Sequence, residues 1–146
     1  GEAALAWVSA LAARIGAEGG AAVVIDYGHE GGAADTLQAV RDHAPADPLA
    51  APGEADLTAH VDFAALAAAA RAAGAAVHGP VPQGAFLRAL GLPERTAVLC
   101  RAARPATARQ LQAAARRLMD ADAMGLLFKA VAITEPRLPT PSGFAP

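Results

Sequence analysis

One short apolar segment constrains the fold of this chain more than any other. Residues 21–26 read Ala-Ala-Val-Val-Ile-Asp, a continuous apolar and β-branched run that follows two glycines. Such a run is typical of a strand that is buried on both faces, as in a parallel sheet. The strand follows a predicted helix, because apolar residues recur every three or four positions between Leu5 and Ile15. A helix followed by a buried strand is half of an α/β unit, so the sequence predicts an α/β fold.

Two more strands and several helices are predicted further along the chain. The aspartate at position 62 is a suitable N-cap for a helix that ends before Gly74. Residues 36–42 are predicted to form a short helix, within an otherwise irregular and functional excursion. A domain over residues 1–135 is expected, followed by an extended or loose Pro-rich tail over 136–146. The other predicted elements are strands at 75–81 and 128–134, and helices at 63–73, 83–90, 94–103 and 106–119.

The visible strands are few for an open sheet. Only three strands are predicted, and residues 23–25 are expected to be central in the sheet, with a neighbour needed on each side. An unpaired side would expose an apolar edge, so the chain is expected to be marginally stable, prone to aggregation or dimeric.

Composition excludes several classes of protein. The chain has 146 residues, a net charge of -2 and a pI of about 6.1, which argue against long disorder and against a strongly basic nucleic-acid binder. A single cysteine excludes a disulfide framework and a Cys-rich zinc site. No apolar run approaches the roughly 20 residues of a membrane helix, and no secretory signal is visible. A reducing, cytoplasm-like compartment is therefore expected, with no membrane partner.

Ionisable side chains gather at the carboxyl end of the strand predicted at 21–26. Ligands of open α/β sheets bind beyond this end of the strands, so these side chains are candidates for binding and proton transfer. The alternative is that the aspartate caps a turn and the histidine is solvated. The candidates in this predicted loop are Asp26, Tyr27, His29 and Glu30.

A second polar group precedes the helix predicted at 63–73. Two of its carboxylates, Asp56 and Asp62, are suited to form an acidic rim for a guanidinium, whose planar fork matches carboxylates. The alternatives are that Asp62 only caps the helix, or that the group binds a metal. A metal site is not predicted, because no fixed ligand set is present. The candidates in this group are Asp56, Thr58, His60 and Asp62.

Other chemically reactive residues carry weaker signals. The glycines at 28, 31 and 32 match neither G-x-G-x-x-G nor a P-loop, so they predict a flexible turn rather than a nucleotide cradle. Cys100 and His78 are expected to have structural roles. A serine hydrolase is disfavoured because the chain contains no G-x-S-x-G motif.

Several motifs together resemble one family. The chain from about residue 21 to residue 134 is similar to the MidA-like class I S-adenosylmethionine-dependent methyltransferases, and the stretch at 55–63 is the most specific part. The motifs are V-I-D-Y-G-H at 24–29, D-T-L-Q-A at 35–39, H at 43 with D-P-L at 47–49, P-G-E-A-D-L-T-A-H-V-D-F at 52–63, G-P-V at 79–81 with Q-G-A-F-L at 83–87, and M-G at 124–125 before F-K at 128–129.

The resemblance implies a position within the family's fold. That fold is a Rossmann-like sheet of seven strands, and this chain resembles its C-terminal part. The fifth strand would be residues 22–26, the sixth 76–81 and the antiparallel seventh 128–134. The Gly-rich cofactor loop and the acidic ribose-binding position belong to earlier strands. The main contacts with S-adenosylmethionine are therefore expected upstream of Gly1, and this fragment is expected to be inactive alone.

The resemblance also implies a function. Mitochondrial members of the family dimethylate an arginine of a respiratory complex I subunit and are needed for complex I assembly. The chain is thus expected to contribute the substrate side of the pocket of a methyltransferase that acts on a protein arginine, with the catalytic base unassigned among the candidate residues. A non-catalytic protein-binding or assembly module is the alternative. The expected partners are a protein substrate and a second copy in a homodimer, in the bacterial cytoplasm or, in a eukaryote, the mitochondrion.

Overall fold

The computed structural model describes residues 1–32 and 35–145. These residues form one four-stranded sheet, a separate three-stranded sheet and six helices. The strands are β1 (Ala21–His29), β2 (Gln38–Arg41), β3 (Ala44–Ala46), β4 (Asp56–Thr58), β5 (Val61–Asp62), β6 (Ala76–Pro82) and β7 (Phe128–Thr134). The helices are α1 (Glu2–Glu18), α2 (Phe63–Ala72), α3 (Gln83–Ala89), α4 (Leu92–Ala102), α5 (Pro105–Met119) and α6 (Met124–Leu127).

The larger sheet has the strand order β5-β1-β7-β6. Strand β7 lies antiparallel between β1 and β6, and β5 pairs in parallel with the last two residues of β1. All three strands predicted from the sequence are present, and the final one is antiparallel, as the resemblance implies. The α/β fold is therefore confirmed, as a mixed sheet flanked by helices.

Strand β1 differs from the strand predicted at residues 21–26 in its burial. One of its faces is open, with Val23 50% and Ile25 44% exposed, whereas burial on both faces was expected. On its other edge, among the described residues, β1 pairs only through Gly28 and His29. The continuous apolar run thus predicts the strand correctly. The described residues, however, leave one face of β1 exposed and most of one edge without a partner strand.

The main core lies between the sheet and the first two helices. Phe63 at the start of α2 is fully buried there, against Val8 of α1 and Ile133 of β7. A smaller cluster on the other side of β7 joins Phe86 of α3 to Phe144, whose rings are 4.9 Å apart. Phe144 belongs to the segment 136–146, which the sequence predicts to be extended or loose. Its ring nevertheless packs against the body of the protein. The division into a domain over 1–135 and a tail over 136–146 stays a prediction.

The helix starting at residue 63 is confirmed together with its cap. The Asp62 carboxylate accepts a hydrogen bond from the backbone N–H of Ala65 at 3.1 Å, which satisfies an otherwise unpaired donor of the first turn. His78 and Cys100, for which structural roles are predicted, also make contacts. The His78 ring lies 3.1 Å from the hydroxyl of Thr134, and the partly buried Cys100 thiol donates to the carbonyl of Ala108.

The excursion between β1 and α2 contains the main error in the secondary-structure prediction. Residues 38–41 form strand β2 rather than part of a helix, and β2 pairs with β3 and β4 on its two sides. A two-residue turn at Asp42 and His43, both with positive φ, reverses the chain into β3 instead. Such turns usually contain Asn-Gly or Asp-Gly, so this one lacks the common signal.

No helix in the described part of the chain is long and apolar enough to cross a membrane.

Candidate functional site

The candidate site is organised around Tyr27, which lies near the carboxyl end of β1. Its ring makes an edge contact with His60 at a centroid distance of 5.7 Å and another with Phe128 at 5.6 Å. Phe128 is the cross-strand partner of Tyr27 on β7, and His60 directly precedes β5. The pairing of β1 with both neighbours thus brings together three rings that are far apart in the sequence.

The position of His60 depends on a residue that sequence reasoning did not select. The backbone N–H of His60 donates to the hydroxyl of Thr36 at 3.1 Å, across 24 positions of the chain. This bond fixes the start of the excursion next to its end. Thr36 lies in the D-T-L-Q-A motif, and Phe128 begins the last strand. Two features of the sequence point to these residues: a hydroxyl side chain within the D-T-L-Q-A motif for Thr36, and an aromatic residue at the end of a predicted strand for Phe128.

His29 and Asp62 are brought side by side by the parallel pairing of β1 with β5. The Nδ1 of His29 lies 3.1 Å from the carbonyl oxygen of Gly31. Because a carbonyl oxygen only accepts, this bond assigns the proton of the neutral ring to Nδ1. In that tautomer the Nε2 atom carries the lone pair.

Asp26 lies on the opposite face of β1 from Tyr27, because side chains alternate along a strand. Its carboxylate accepts from the backbone N–H of Tyr27 at 2.8 Å. Its cross-strand partner is Lys129, whose ammonium donates instead to the carbonyl of Leu126 at 2.6 Å. Asp26 is therefore close to Tyr27 in sequence but not part of the ring cluster.

The predicted loop at residues 26–30 is mostly strand. Strand β1 continues to His29, because β5 supplies a partner for Gly28 and His29. Glu30 follows the strand and is exposed. The prediction missed this extension because β5 has only two residues and follows a long excursion, so its pairing with β1 has no local signal.

Asp56 and Asp62 lie at different cavities. Asp62 lines an apolar groove of about 560 Å³, together with His60 and residues of α1 and α2. Asp56 is exposed on β4 and lines a shallow cavity of about 270 Å³ with Arg41 and Glu54. Thr58 is half-buried at the end of β4, opposite Gln38. The structure thus joins His60 and Asp62 at one groove and places Asp56 at another.

Of the glycines at 28, 31 and 32, Gly28 is closely packed, whereas Gly31 and Gly32 have positive φ in the segment that follows β1. A Cβ on Gly28 would lie 2.2 Å from the Val61 carbonyl oxygen and 2.7 Å from the Phe63 ring. Gly28 therefore allows β5 and the first residue of α2 to approach β1.

A metal centre finds no support in residues 1–32 and 35–145. No three side chains of His, Cys, Asp or Glu come together there as a metal ion would require. Away from the candidate site, Glu135 and Arg137 form an ion pair. A hydrogen bond from Arg137 lowers the pKa of Glu135, and Glu135 raises that of Arg137.

Comparison with known proteins shows the family. Residues 1–81 match the family described as "Putative S-adenosyl-L-methionine-dependent methyltransferase". The chain is 41% identical over 122 residues to protein arginine methyltransferase NDUFAF7, mitochondrial, of Rattus norvegicus, a match that covers 83% of this chain and 28% of that protein. It is 40% identical over 127 residues to the Homo sapiens protein of the same name, covering 86% of this chain and 29% of that protein.

Two solved structures from Burkholderia thailandensis have the same fold. One, bound to S-adenosyl-homocysteine, superimposes with a TM-score of 0.81 at 30% identity, covering 99% of this chain and 38% of the other. The other superimposes with a TM-score of 0.83, also at 30% identity, covering 97% of this chain and 39% of the other. The chain thus spans less than a third of the curated relatives and about two fifths of the solved structures. The matched residues and these similarities show that the chain belongs to a family of S-adenosyl-L-methionine-dependent methyltransferases.

Proposed function

We propose that this chain acts within a methyltransferase that transfers a methyl group from S-adenosylmethionine to an arginine of a protein, and that it forms the substrate side of the pocket. The observation that carries the proposal is that His60 and Asp62 line an apolar groove at the carboxyl end of β1, where the Tyr27 ring contacts His60. Ligands of open α/β sheets bind at this end of the strands. The named relatives are protein arginine methyltransferases, which supports arginine as the acceptor.

The chemistry sets what the substrate side must do. The methyl group leaves the sulfonium sulfur as a guanidinium nitrogen attacks it; the S–C bond breaks, an N–C bond forms, and S-adenosyl-homocysteine departs. The guanidinium is cationic and a poor nucleophile, so it must be oriented and must lose one proton.

Residues of the groove and of the neighbouring strand β1 suit these tasks. Val61 and Leu66 offer an apolar wall for the aliphatic part of an arginine side chain, and the Asp62 carboxylate offers an acceptor for its guanidinium. The Tyr27 ring is held by its two aromatic neighbours and can limit the orientation of the substrate. His29, with its lone pair on Nε2, is the proposed proton acceptor. Asp26, Glu30, Asp56 and Thr58 stay candidates for contacts with the protein substrate.

The main contacts with S-adenosylmethionine are proposed to come from residues outside this chain. Two observations support this: among the described residues, the edge of β1 opposite β7 pairs only through Gly28 and His29, and the chain spans a small share of its relatives. The compartment is proposed to be mitochondrial in a eukaryote, as for the named relatives, and cytoplasmic in a bacterium. A homodimer stays a prediction, which sedimentation velocity over a range of concentrations tests.

Calorimetric titration of S-adenosylmethionine tests the proposal, with this chain and with a chain extended to the natural limits of the gene product. We expect binding by the extended chain only, and methyl transfer to an arginine peptide. Micromolar binding by the short chain would contradict the assignment of the cofactor site to other residues. Absence of binding and transfer by both would favour the assembly module.

The role of Asp62 can be separated from its structural role. Asn caps helices as well as Asp does, so Asp62→Asn in the extended chain removes the charge and keeps the cap. We expect a higher KM for the arginine peptide, with unchanged affinity for S-adenosylmethionine. An unchanged KM would exclude Asp62 from guanidinium binding.

A further inference from the structure

The excursion between β1 and α2 forms a projecting arm, defined here as residues 35–59. Its three strands pair with one another, β2 with β3 and with β4. Within the described residues, none of these strands makes more than marginal contact with a helix or with the larger sheet. The arm is nevertheless ordered internally, through the two-residue turn at Asp42 and His43 and an ion pair at 3.5 Å between Arg41 and Glu54.

The arm exposes every large aliphatic side chain that it contains. Leu49 is 82% exposed and Leu57 60% exposed, and Leu37 and Val40 are also open to solvent. A small sheet normally buries such residues against another layer. Leu57 pairs with Ala39 and Val40 pairs with Asp56, so these two exposed side chains lie on opposite faces of the small sheet. Exposure of apolar side chains on both faces of one element favours its binding to another protein.

The charge of the arm limits what that protein segment can be. The arm carries five carboxylates, at positions 35, 42, 47, 54 and 56, against a single arginine, Arg41. In contrast, the helices α4 and α5 at the other end of the chain are rich in arginine. A ligand that complements the arm must therefore be cationic, with apolar side chains that cover the exposed leucines.

We propose that the arm docks a basic and apolar segment of the protein substrate, at a distance from the arginine that is methylated. The inference rests on the proposed function, because an arginine-bearing substrate segment supplies the complementary charge. The arm is also continuous with the candidate site, since Thr36 at its root holds the backbone of His60. Its leucines and carboxylates thus fix the substrate chain while the groove receives the target side chain.

Fluorescence anisotropy with the 146-residue chain tests docking without the cofactor. The probes are fluorescein-labelled peptides with repeated Arg-Leu-Gly, Arg-Gly-Gly or Glu-Leu-Gly sequences. We expect the Arg-Leu-Gly peptide to bind most tightly, with an affinity that falls as salt is raised. Leu49→Ser and Leu57→Ser are each expected to weaken this binding by roughly fivefold to tenfold. Asp42→Asn, which keeps a residue that tolerates positive φ, should weaken binding and reduce the salt dependence.

Trp7→Ser is the matched control, because Trp7 is 61% exposed but lies on α1, away from the arm. It should bind the Arg-Leu-Gly peptide like the unmodified chain. Equal binding by the Glu-Leu-Gly peptide, equal loss in the Trp7→Ser control, or unchanged binding by both leucine variants would each overturn the docking proposal. Circular dichroism of every variant verifies that the fold is retained.

The two proposals fail separately. If the extended chain transfers no methyl group but the arm variants lose peptide binding, the enzymatic proposal is wrong and docking stands. If methyl transfer occurs with a KM for Arg-Leu-Gly that Leu49→Ser and Leu57→Ser leave unchanged, docking is wrong and the proposed function stands.

Discussion

Replacement of Gly28 by alanine should destabilise the chain by about 3 kcal/mol. The added Cβ would lie 2.2 Å from the Val61 carbonyl oxygen and 2.7 Å from the Phe63 ring, so it overlaps both a backbone atom and a buried side chain. Phe63 is fully buried and β5 is held by its pairing with β1, so neither neighbour can move away without loss of packing. Overpacking of well-filled cores costs about 1–3 kcal/mol, and a contact this short with backbone places Gly28→Ala at the upper end.

Replacement of Gly16 by alanine provides a matched control, because it should change stability in the opposite direction. It lies within α1, and a Cβ there would meet only the carbonyl of Gly74, at an ordinary distance of 3.7 Å. Alanine is the better helix former by about 1 kcal/mol, so Gly16→Ala should stabilise the chain. For a domain of this size 1 kcal/mol moves the thermal midpoint by about 4 °C. We therefore expect a fall of about 12 °C for Gly28→Ala and a rise of about 4 °C for Gly16→Ala.

Thermal unfolding followed by circular dichroism measures both variants at equal protein concentration. A midpoint for Gly28→Ala within about 2 °C of the unmodified chain would refute the reasoning, because it corresponds to less than about 1 kcal/mol. The double variant Gly28→Ala/Phe63→Leu tests the ring contact separately. If the Phe63 ring causes part of the clash, the losses of unfolding free energy in the single variants Gly28→Ala and Phe63→Leu should sum to more than the loss in the double variant.

Three further predictions concern the cap, an ion pair and the ring cluster. Asp62→Ala should lower stability by about 1 kcal/mol through loss of the helix cap, whereas Asp62→Asn should change it little; urea unfolding compares them. Arg137 lowers the pKa of Glu135 in the folded chain, so the stabilisation is complete above the ordinary glutamate pKa of about 4.3 and is lost as pH falls through the lower folded value. The midpoint of Glu135→Gln should therefore fall less on acidification, and an equal fall would contradict the pairing. Phe128→Ala should weaken the near-ultraviolet dichroism of Tyr27, the chain's single tyrosine, and an unchanged band would show that Phe128 does not hold the ring.

Local sequence was sufficient for the elements that carry their own signals. The apolar run before Asp26 predicts β1, the Asp62 cap predicts α2, and the last strand has the bounds Phe128–Thr134 that were expected. Each depends on interactions between neighbours in the sequence, such as a cap or a continuous apolar run. The family resemblance further placed the last strand as antiparallel, which no local pattern could indicate.

Pairing between distant segments decided the rest. Strand β5 is too short to be seen in the sequence, yet its partnership with β1 converts a predicted loop into strand and sets His29 beside Asp62. The contact between Tyr27 and His60, and the separation of Asp56 from Asp62, follow from the same pairing and from the arm that precedes it. The amino-acid sequence establishes which residue types are available for the site. The tertiary structure decided which of them meet, because strand register and close packing at Gly28 depend on residues more than 30 positions away.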